Sequence, residues 1–506
     1  LSRGLIAYAC SLLFTLAYGF WAAKDPLAQR VLLPLLDILQ SIPVLGFMPG
    51  VVIALVALFP RSNTGLELSS ILMIFTGQAW NMTFSFYHSL RSVPHDQSEA
   101  ATIYRFTWWQ RFKWVELPFS AIGLVWNSMM SMAGGWFFLM ITESFVLGKR
   151  DFRLPGIGSY MSVAVAKGNV PAMIWAIVTM VLMIVLLDQL LWRPVVVWSQ
   201  KFRVEEGAEE EAASSWFYDF LRHSRVLEWI GTTLHALRRG GHPPAAPAAR
   251  AQQRSEPVPR IVSTIFLVIL VAGMLYGAWR LVALLGRLPL RQWGPIAAAG
   301  GWTLGRVLLS TAIGTLWALP AGLAIGLSRR LSRLLQPVVQ IAASFPAPML
   351  FPLVIALLGA AGVSLGWASV ILMLLGTQWY ILFNVIAGAT AMPSDLREAA
   401  RSYRLGRWMR FRSLDLPAVF PYLVTGWVTA AGGAWNASIV AEYVTSKGRV
   451  LTTNGLGAQI SLAAEHADFP ALTASVIVMA VIVVLFNRTV WRTLYTVAEE
   501  RFSLSK

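Results

Sequence analysis

The chain has 506 residues, of which 56% are hydrophobic and 13% are charged, and its mean hydropathy is +0.60. A soluble protein of this size cannot bury so much apolar surface, and the 22 Trp and 26 Phe suit the two interfaces of a membrane. One Cys and six scattered His exclude a disulfide framework and predict no metal site. The formal charge of +16 does not predict a nucleic-acid partner, because most basic residues fall in loops on one side of the predicted membrane helices.

Apolar segments of about 20 residues predict helices that cross the membrane. We place eleven of them, at 5–23, 31–59, 67–92, 119–142 and 172–193 in the first half and at 261–284, 302–327, 337–358, 366–391, 418–442 and 472–491 in the second. The first half has no counterpart of 261–284, and the chain begins at Leu1 rather than Met. We therefore expect a further helix to precede Leu1 in the complete protein.

Two polar loops repeat at a constant separation. Glu, Ala-Ala, Tyr-Arg and Leu-Pro occur in residues 91–118 and again 299 residues later in residues 392–417. We call these segments the first and second Glu-Ala-Ala loops. Further matches occur at separations of 299 or 303 residues, among them Gly77/Gly376, Pro94/Pro393, Gly156/Gly455, Arg30/Arg333 and Pro43/Pro346.

The repeat predicts two like domains, 1–198 and 261–506, joined by a linker, 199–260. An even number of helices in each complete unit predicts a pseudo-two-fold axis along the membrane normal. The linker has an acidic run, an amphipathic segment at 214–239 and a Pro/Ala tract at 243–258. We interpret it as a tether with one helix on the inner membrane surface, although a regulatory role stays open.

Each Glu-Ala-Ala loop is predicted to begin with a capped helix. Asp96 and Asp395 would be the N-caps, and Glu99 and Glu398 the reciprocal acceptors three residues later. For a single copy, capping would explain the Glu. Two copies flanked by aromatic and basic residues favour two equivalent docking surfaces, and hence a two-fold partner.

The distribution of basic residues predicts which face is inside. If both Glu-Ala-Ala loops are cytoplasmic, 27 Lys and Arg lie inside and 9 lie outside in the loops between helices. The positive-inside rule supports this orientation. The chain has no G-x4-G-K-[ST] motif and no protease-like Ser/His/Asp or H-E-x-x-H set, so any ATP that drives it must bind to other chains.

Polar and aromatic residues on apolar helices are candidates for a translocation path, because exposure of polar groups to lipid is unfavourable. The candidates are Ser41, Gln78, Trp80, Asn127, Trp136, Ser344, Thr377, Trp379, Trp435 and Asn436. Helix packing would explain any one Trp, but the matched pairs Trp80/Trp379 and Trp136/Trp435 favour positions that face each other across the axis. For Glu143 and Glu442, at outer helix ends, a solvated surface, contact with a binding protein and gating are alternatives.

Both loops resemble E-A-A-x3-G-x9-I-x-L-P, the cytoplasmic loop pattern of permease subunits of ABC importers. Each copy has Arg in place of the Gly, at Arg105 and Arg404. Gly would break the helix, whereas we expect Arg to continue it. Gly406 would supply a break in the second loop, and the first loop has no nearby glycine.

The chain most resembles the nitrate/sulfonate/taurine/bicarbonate group of these permeases in its duplicated form. The resemblance implies two tandem type I importer domains in a bacterial plasma membrane, moving a small anion by alternating access. It also implies an outer solute-binding protein, periplasmic or lipid-anchored, and two ATPase subunits that carry ATP and Mg²⁺, with no cofactor in this chain. The docking residues would be Glu99, Ala100, Ala101, Arg105 and Arg111, and Glu398, Ala399, Ala400, Arg404 and Arg410.

Two other classes of protein stay open at this point. A gradient-driven carrier with parallel repeats would need acidic relays within the membrane. Asp37 and Asp188 are the plausible acids, and neither has an acidic counterpart in the other half. A structural or receptor-like membrane subunit would transport nothing with any partner.

Overall fold

The computed structural model describes residues 1–147, 150–202, 215–222, 260–446 and 449–502. The first half consists of α1 (Ser2–Lys24), α2 (Pro26–Ser41), α3 (Val44–Leu58), α4 (Thr64–Arg91), α5 (His95–Ile103), α6 (Trp108–Arg111), α7 (Leu117–Thr142), the hairpin β1–β2 (Ser144–Leu147 and Arg150–Arg153), α8 (Ile157–Ala166), α9 (Val170–Leu187) and α10 (Arg193–Ser199). A short helix, α11 (Trp216–Arg222), follows. The rest of the predicted amphipathic segment and the Pro/Ala tract lie outside the described residues.

The second half repeats this order. It consists of α12 (Arg260–Leu285), α13 (Trp293–Gly326), α14 (Arg329–Ser344), α15 (Phe351–Ala360), α16 (Leu365–Thr390), α17 (Ser394–Ser402), α18 (Arg407–Arg410), α19 (Leu416–Ala441), the hairpin β3–β4 (Tyr443–Ser446 and Arg449–Thr452), α20 (Leu456–Glu465), α21 (Phe469–Phe486) and α22 (Arg492–Phe502). From α5 to α9 every element recurs 299 residues later with the same bounds, and α2 recurs as α14 at 303 residues. The repeat in the sequence is therefore a repeat of structure.

Seven of the described helices are long and apolar enough to cross a membrane, or eight if the bent pair α2–α3 counts as one span. They cover seven of the eleven predicted spans, and the bent pair corresponds to 31–59. Two further predicted spans, 67–92 and 418–442, correspond to α4 and α19, which have 28 and 26 residues. These two helices are less apolar because they pack inside the molecule and carry buried polar side chains such as Gln78 and Ser438.

The predicted span 337–358 is not one helix. α14 ends at Ser344, a 3₁₀ turn covers Ala347–Met349, and α15 begins at Phe351. The corresponding pair α2–α3 is bent by 98° around Pro43. In both halves the proline at the break, Pro43 or Pro346, removes a backbone donor and disfavours helical geometry in the residue before it.

The two halves contact each other reciprocally. α2 packs on α21 and α14 on α9; α19 packs on α3 and α7 on the 3₁₀ turn before α15. The hairpin strand β1 contacts α20, and β3 contacts α8. Each of these contacts thus has a counterpart with the halves exchanged, and the pseudo-two-fold axis itself stays a prediction.

The helix α12 contacts both halves. It packs on α21 of the second half and on α2 of the first. Near its start, Ser263 Oγ accepts a hydrogen bond from Trp21 Nε1 at 3.0 Å and donates one to Asp25. Burial alone would raise the pKa of Asp25, but the hydrogen bonds from Ser263 and from the N–H groups of Leu27 and Ala28 lower it overall.

Candidate functional site

The first helix of each Glu-Ala-Ala loop begins two residues earlier than predicted. Pro94 and Pro393 are the N-caps, and neither helix has a side-chain cap hydrogen bond. The prediction that Asp96 and Asp395 cap these helices was therefore wrong, because both residues already lie in the first helical turn. Acids in that turn still interact favourably with the helix dipole.

Both helices end sharply at the arginines. Arg105 and Arg404 have φ values of 53° and 52°, in the left-handed region. The next N–H donates back to the carbonyl oxygen of Ala101 at 2.9 Å in the first loop and of Ala400 at 3.1 Å in the second. This is the 6→1 bond of a Schellman helix end, so the expectation that Arg would continue the helix was wrong. Gly406, with φ −63°, starts α18 and does not supply the break.

Ion pairs brace each loop from within. In the first loop, Glu116 is buried and pairs with Arg111 at 2.9 Å and with Lys24 at the end of α1. In the second, Arg410 pairs with Asp415 at 3.3 Å. Two of the four predicted docking arginines, Arg111 and Arg410, are half-buried and hold their loops together.

Other loop residues are open to solvent. The side chain of Glu99 is 61% exposed, with His95 Nδ1 3.7 Å from its Oε2, and Glu398 and Ala399 are also exposed. Ala100 is half-buried, and Ala101 and Ala400 are buried. Large exposed side chains surround them, namely Ile103, Tyr104, Trp109, Trp114, Tyr403, Trp408 and Met409. Apolar residues exposed at a loop tip next to charged ones are typical of a protein interface.

The two loops lie on one face of the molecule. Each begins a helix of 26 residues, α7 or α19, that is about 39 Å long and ends at a hairpin. The two hairpins lie together, because each contacts the short helix of the other half. Both loops therefore lie at the other end of these two helices.

A cavity of about 570 Å³ lies between the halves. Residues of α4 and α7 line it on one side and residues of α14, α16, α19 and α21 on the other. No Asp, Glu, Lys, Arg or His is among the described residues that line it. Its polar groups are amides, hydroxyls and indoles, and no three described His, Cys, Asp or Glu come together to hold a metal ion.

The predicted path residues divide between the cavity and the packing around it. The cavity lining includes Trp80, Ser344, Thr377, Trp379, Trp435 and Asn436. Three others are elsewhere: Trp136 is buried against Gly4 of α1, Gln78 is buried against Gly135, and Asn127 donates to Ser85 Oγ at 2.9 Å. The side chain of Ser41 lies outside the described residues.

Matched positions in the cavity are not chemically equal. Asn436 Oδ1 accepts from Leu45 N–H at 3.4 Å, at the start of α3. The matched positions in the other half are Phe137 and Pro348, which can make no such bond. Likewise, the indole N–H of Trp379 donates to Leu375 O at 3.1 Å, whereas that of Trp80 is buried without a partner among the described residues.

The outer carboxylates Glu143 and Glu442 are buried, so the solvated-surface alternative was wrong. Glu143 pairs with Arg3 at 2.8 Å and Glu442 with Arg306 at 2.7 Å. Burial raises the pKa of both carboxyls, while the arginines and the nearby glycine N–H groups act in the opposite direction. These arginines were not among the predicted site residues, although Arg3 and Arg306 keep the separation of 303 residues found for Arg30 and Arg333.

The duplicated loops and helices match a known family. Its model, the binding-protein-dependent transport system inner membrane component, matches residues 16–191 and 314–502. The chain belongs to this family. It is an all-α, multi-pass membrane permease with two tandem type I domains.

Individual relatives are similar over part of their length. The nitrate import permease protein NrtB of Leptolyngbya laminosa is 28% identical over 28% of this chain and 52% of its own length. The taurine transport system permease protein TauC of Escherichia coli is 25% identical over 38% of this chain and 66% of its own length. The bicarbonate transport system permease protein CmpB of Synechocystis is 33% identical over 16% of this chain and 28% of its own length. The chain thus spans less than two thirds of these relatives.

Proposed function

We propose that the chain is the membrane subunit of an ATP-driven importer in a bacterial inner membrane. It moves a small anion, such as nitrate, a sulfonate or bicarbonate, into the cell by alternating access. An outer solute-binding protein, periplasmic or lipid-anchored, delivers the anion. Two separate ATPase subunits, which bind ATP and Mg²⁺, supply the energy.

The observation that carries the proposal is the pair of Glu-Ala-Ala loops on one face. Each presents an exposed Glu beside exposed aromatic residues, and each is rigidly braced to a long helix by an ion pair. A movement imposed on a loop is therefore transmitted to α7 or α19, which line the cavity between the halves. Such rigid-body coupling is how nucleotide-driven subunits switch a two-state membrane protein.

The cavity is compatible with a small polar solute. Amide and indole N–H groups can donate to oxyanion oxygens, and Asn436 lies close to the start of α3. The two domains proposed from the sequence, 1–198 and 261–506, would be the halves that move against each other. The linker 199–260 would join them on the inner face.

A test is co-expression of the chain with the ATPases encoded beside it. We expect co-purification with two ATPase subunits. In the double variant Glu99→Lys/Glu398→Lys, we expect normal membrane insertion but ATP turnover uncoupled from uptake. Glu499→Lys/Glu500→Lys, which makes the same charge change at two exposed positions of α22, is the matched control and should keep coupling.

Three results would contradict the proposal. One is a parent protein that never recruits an ATPase. The second is uptake by the chain alone in proteoliposomes with only an ion gradient, which would indicate a carrier. The third is loss of expression in the double variant, because it would assign Glu99 and Glu398 a folding role that their exposure does not predict.

A further inference from the structure

A buried carboxylate joins three elements at the outer end of the second half. Glu442 is 0% exposed and directly follows α19. Its Oε1 accepts from Arg306 Nη1 of α13 at 2.7 Å, and its Oε2 accepts from the N–H of Gly457 in α20 at 2.9 Å. Thr303 Oγ1 also donates to the same carboxylate at 3.0 Å. We call the pair Arg306–Glu442 the second clamp.

The first half has the same arrangement, which we call the first clamp. Arg3 Nη1 donates to Glu143 Oε1 at 2.8 Å, and Gly158 N–H donates to its Oε2 at 2.7 Å. In both halves the chain passes so close to the carboxylate that only glycine fits. A Cβ added to Gly156 or Gly455 would lie 2.1 Å from a carboxylate oxygen.

Each clamp fixes both ends of a hairpin. The backbone carbonyl of Glu143 accepts from Leu154 N–H at 2.9 Å, and that of Glu442 accepts from Thr453 N–H at 3.1 Å. The arginines also bind the chain that leaves each hairpin, through Pro155 O at 2.8 Å for Arg3 and through Asn454 O at 2.6 Å for Arg306. The position of each hairpin on its own half is therefore set by its clamp.

The hairpins and short helices of the two halves contact each other at the outer end. β1 contacts α20, and β3 contacts α8. Leu154 and Met161 of the first half and Val444, Leu456 and Ile460 of the second are buried in one apolar cluster. These five residues follow α7 and α19 in the chain, beyond the part of these helices that lines the cavity, and belong to a larger apolar cluster that also reaches the cavity.

We propose that β1–β2 with α8 and β3–β4 with α20 form the outer gate of the translocation path, and that the two clamps hold this gate closed. The inference rests on the proposed transport function and orientation. Each clamp lies within one half, so it holds its hairpin in the position that meets the other half, and a hairpin released from its clamp can move away and open the contact. Removing the charge of a clamp carboxylate leaves a largely buried guanidinium with less counter-charge and weakens the closed position.

The two clamps differ in the number of carboxylates that pair with the arginine. Arg3 also makes a bidentate pair with Glu67, at 2.5 and 2.7 Å. The residue 299 positions after Glu67 is Gly366, and Arg306 binds the hydroxyl of Thr453 at 3.0 Å instead. The second clamp has one carboxylate and the first has two, so the second should be the easier to open.

Labelling of a cavity cysteine from outside tests the gate. Cys10 is the single cysteine, so Cys10→Ser with Asn81→Cys places one thiol in the cavity lining. A membrane-impermeant maleimide is added to right-side-out vesicles, and SDS-unfolded protein gives the reference reactivity. We expect slow labelling in this parent. Glu442→Gln should speed labelling about tenfold and Glu143→Gln about threefold, since modest shifts between two states change the open fraction by such factors.

The control removes a buried carboxylate charge at the other end of α7. Glu116→Gln breaks an ion pair of similar burial in the first Glu-Ala-Ala loop, and labelling from outside should stay slow. Arg306→Lys keeps the charge but not the second donor, and it should give an intermediate rate. It also serves if Glu442→Gln does not fold.

Two results would overturn the gate. One is fast labelling of the parent from outside. The other is slow labelling of both Gln variants when their size-exclusion profiles match that of the parent, which shows that they fold. The experiment needs no ATPase, substrate or binding protein. Failure of the gate is therefore distinct from failure of the proposed importer function, which the recruitment of an ATPase tests.

Discussion

Arg105 and Arg404 adopt the same left-handed backbone conformation, with φ of 53° and 52°, although 299 residues separate them. A side chain with a Cβ is strained there by about 1–2 kcal/mol. The same strained turn in both loops sets the angle between the first helix of each loop and the short helix after it. The residue that breaks the helix is thus an arginine, and the break is imposed by the surrounding fold.

The strain predicts the order of stability among substitutions at Arg105. Arg105→Gly should raise Tm or leave it unchanged, because relief of strain is offset by the greater entropy of the unfolded chain. Arg105→Ala should match the parent, and Arg105→Val should lower stability by about 1 kcal/mol or more because a branched side chain fits this region worst. Thermal unfolding in detergent measures the order, and Arg404 should repeat it. If Ala lowers Tm as much as Val, the arginine side chain matters and the backbone argument fails.

The ion pairs that hold the two Glu-Ala-Ala loops should differ in strength. The carboxylate of Glu116 has two cationic partners and is 2% exposed, whereas Asp415 is 11% exposed with Arg410 at 3.3 Å. We expect Glu116→Gln to destabilise by about 3 kcal/mol, since it leaves Lys24 near a neutral group in a buried site. Asp415→Asn should lower the free energy of unfolding by about 1 kcal/mol. Equal losses in thermal or denaturant unfolding would show that burial does not control these pairs.

Gly366→Glu should give the second clamp the acid that the first clamp has. A Cβ at Gly366 would lie 3.7 Å from Arg306 Nη2 and 3.4 Å from Thr453 Oγ1, so there is room for a side chain. Replacing Gly in a helix also raises the free energy of unfolding by about 1 kcal/mol, and Gly366→Gln is the control for this gain. We expect Tm in the order Glu, Gln, Gly. In an Arg306→Gln background the difference between Glu and Gln should vanish, and a difference that persists would contradict the pairing.

The absence of charge from the described cavity lining predicts a strong response to a new one. In Asn436→Asp, a carboxylate about 6 Å from a bound anion repels it by about 3 kcal/mol at an effective dielectric constant of about 20, or about a hundredfold in uptake. Asn436→Gln keeps the amide and should lose much less. ATPase activity without substrate should stay near the parent in both variants. Undiminished anion uptake by Asn436→Asp would place the path elsewhere or show that the solute is not an anion.

The sequence predicted the parts of the fold that depend on local pattern. The length of the apolar segments and the separation of 299 residues located the long helices and both loops. These features depend on residues close together in the sequence, as helical periodicity and proline positions do. Prediction from the sequence failed where contacts between residues far apart in the chain determine the environment of a side chain. For Glu143 a solvated surface was one of the open alternatives, yet the residue is buried and its partner Arg3 is 140 residues away.

The candidate path shows the same limit. Trp136 and Trp435 occupy matched positions, but only Trp435 lines the cavity, because Trp136 packs on Gly4 of α1. Pairing in the sequence predicts equivalent backbone positions. It does not predict which neighbours cover each side chain.

The bond network of Ser263 with Trp21 and Asp25 has a consequence for how this polypeptide can be divided. Side-chain contacts hold the start of the second half on the first half. The linker is therefore not needed to position one half against the other. A gene split between the codons for residues 203 and 259 should still yield two fragments that assemble in the membrane. An ancestral pair of separate subunits and this fused chain would then differ in stoichiometric control and not in architecture.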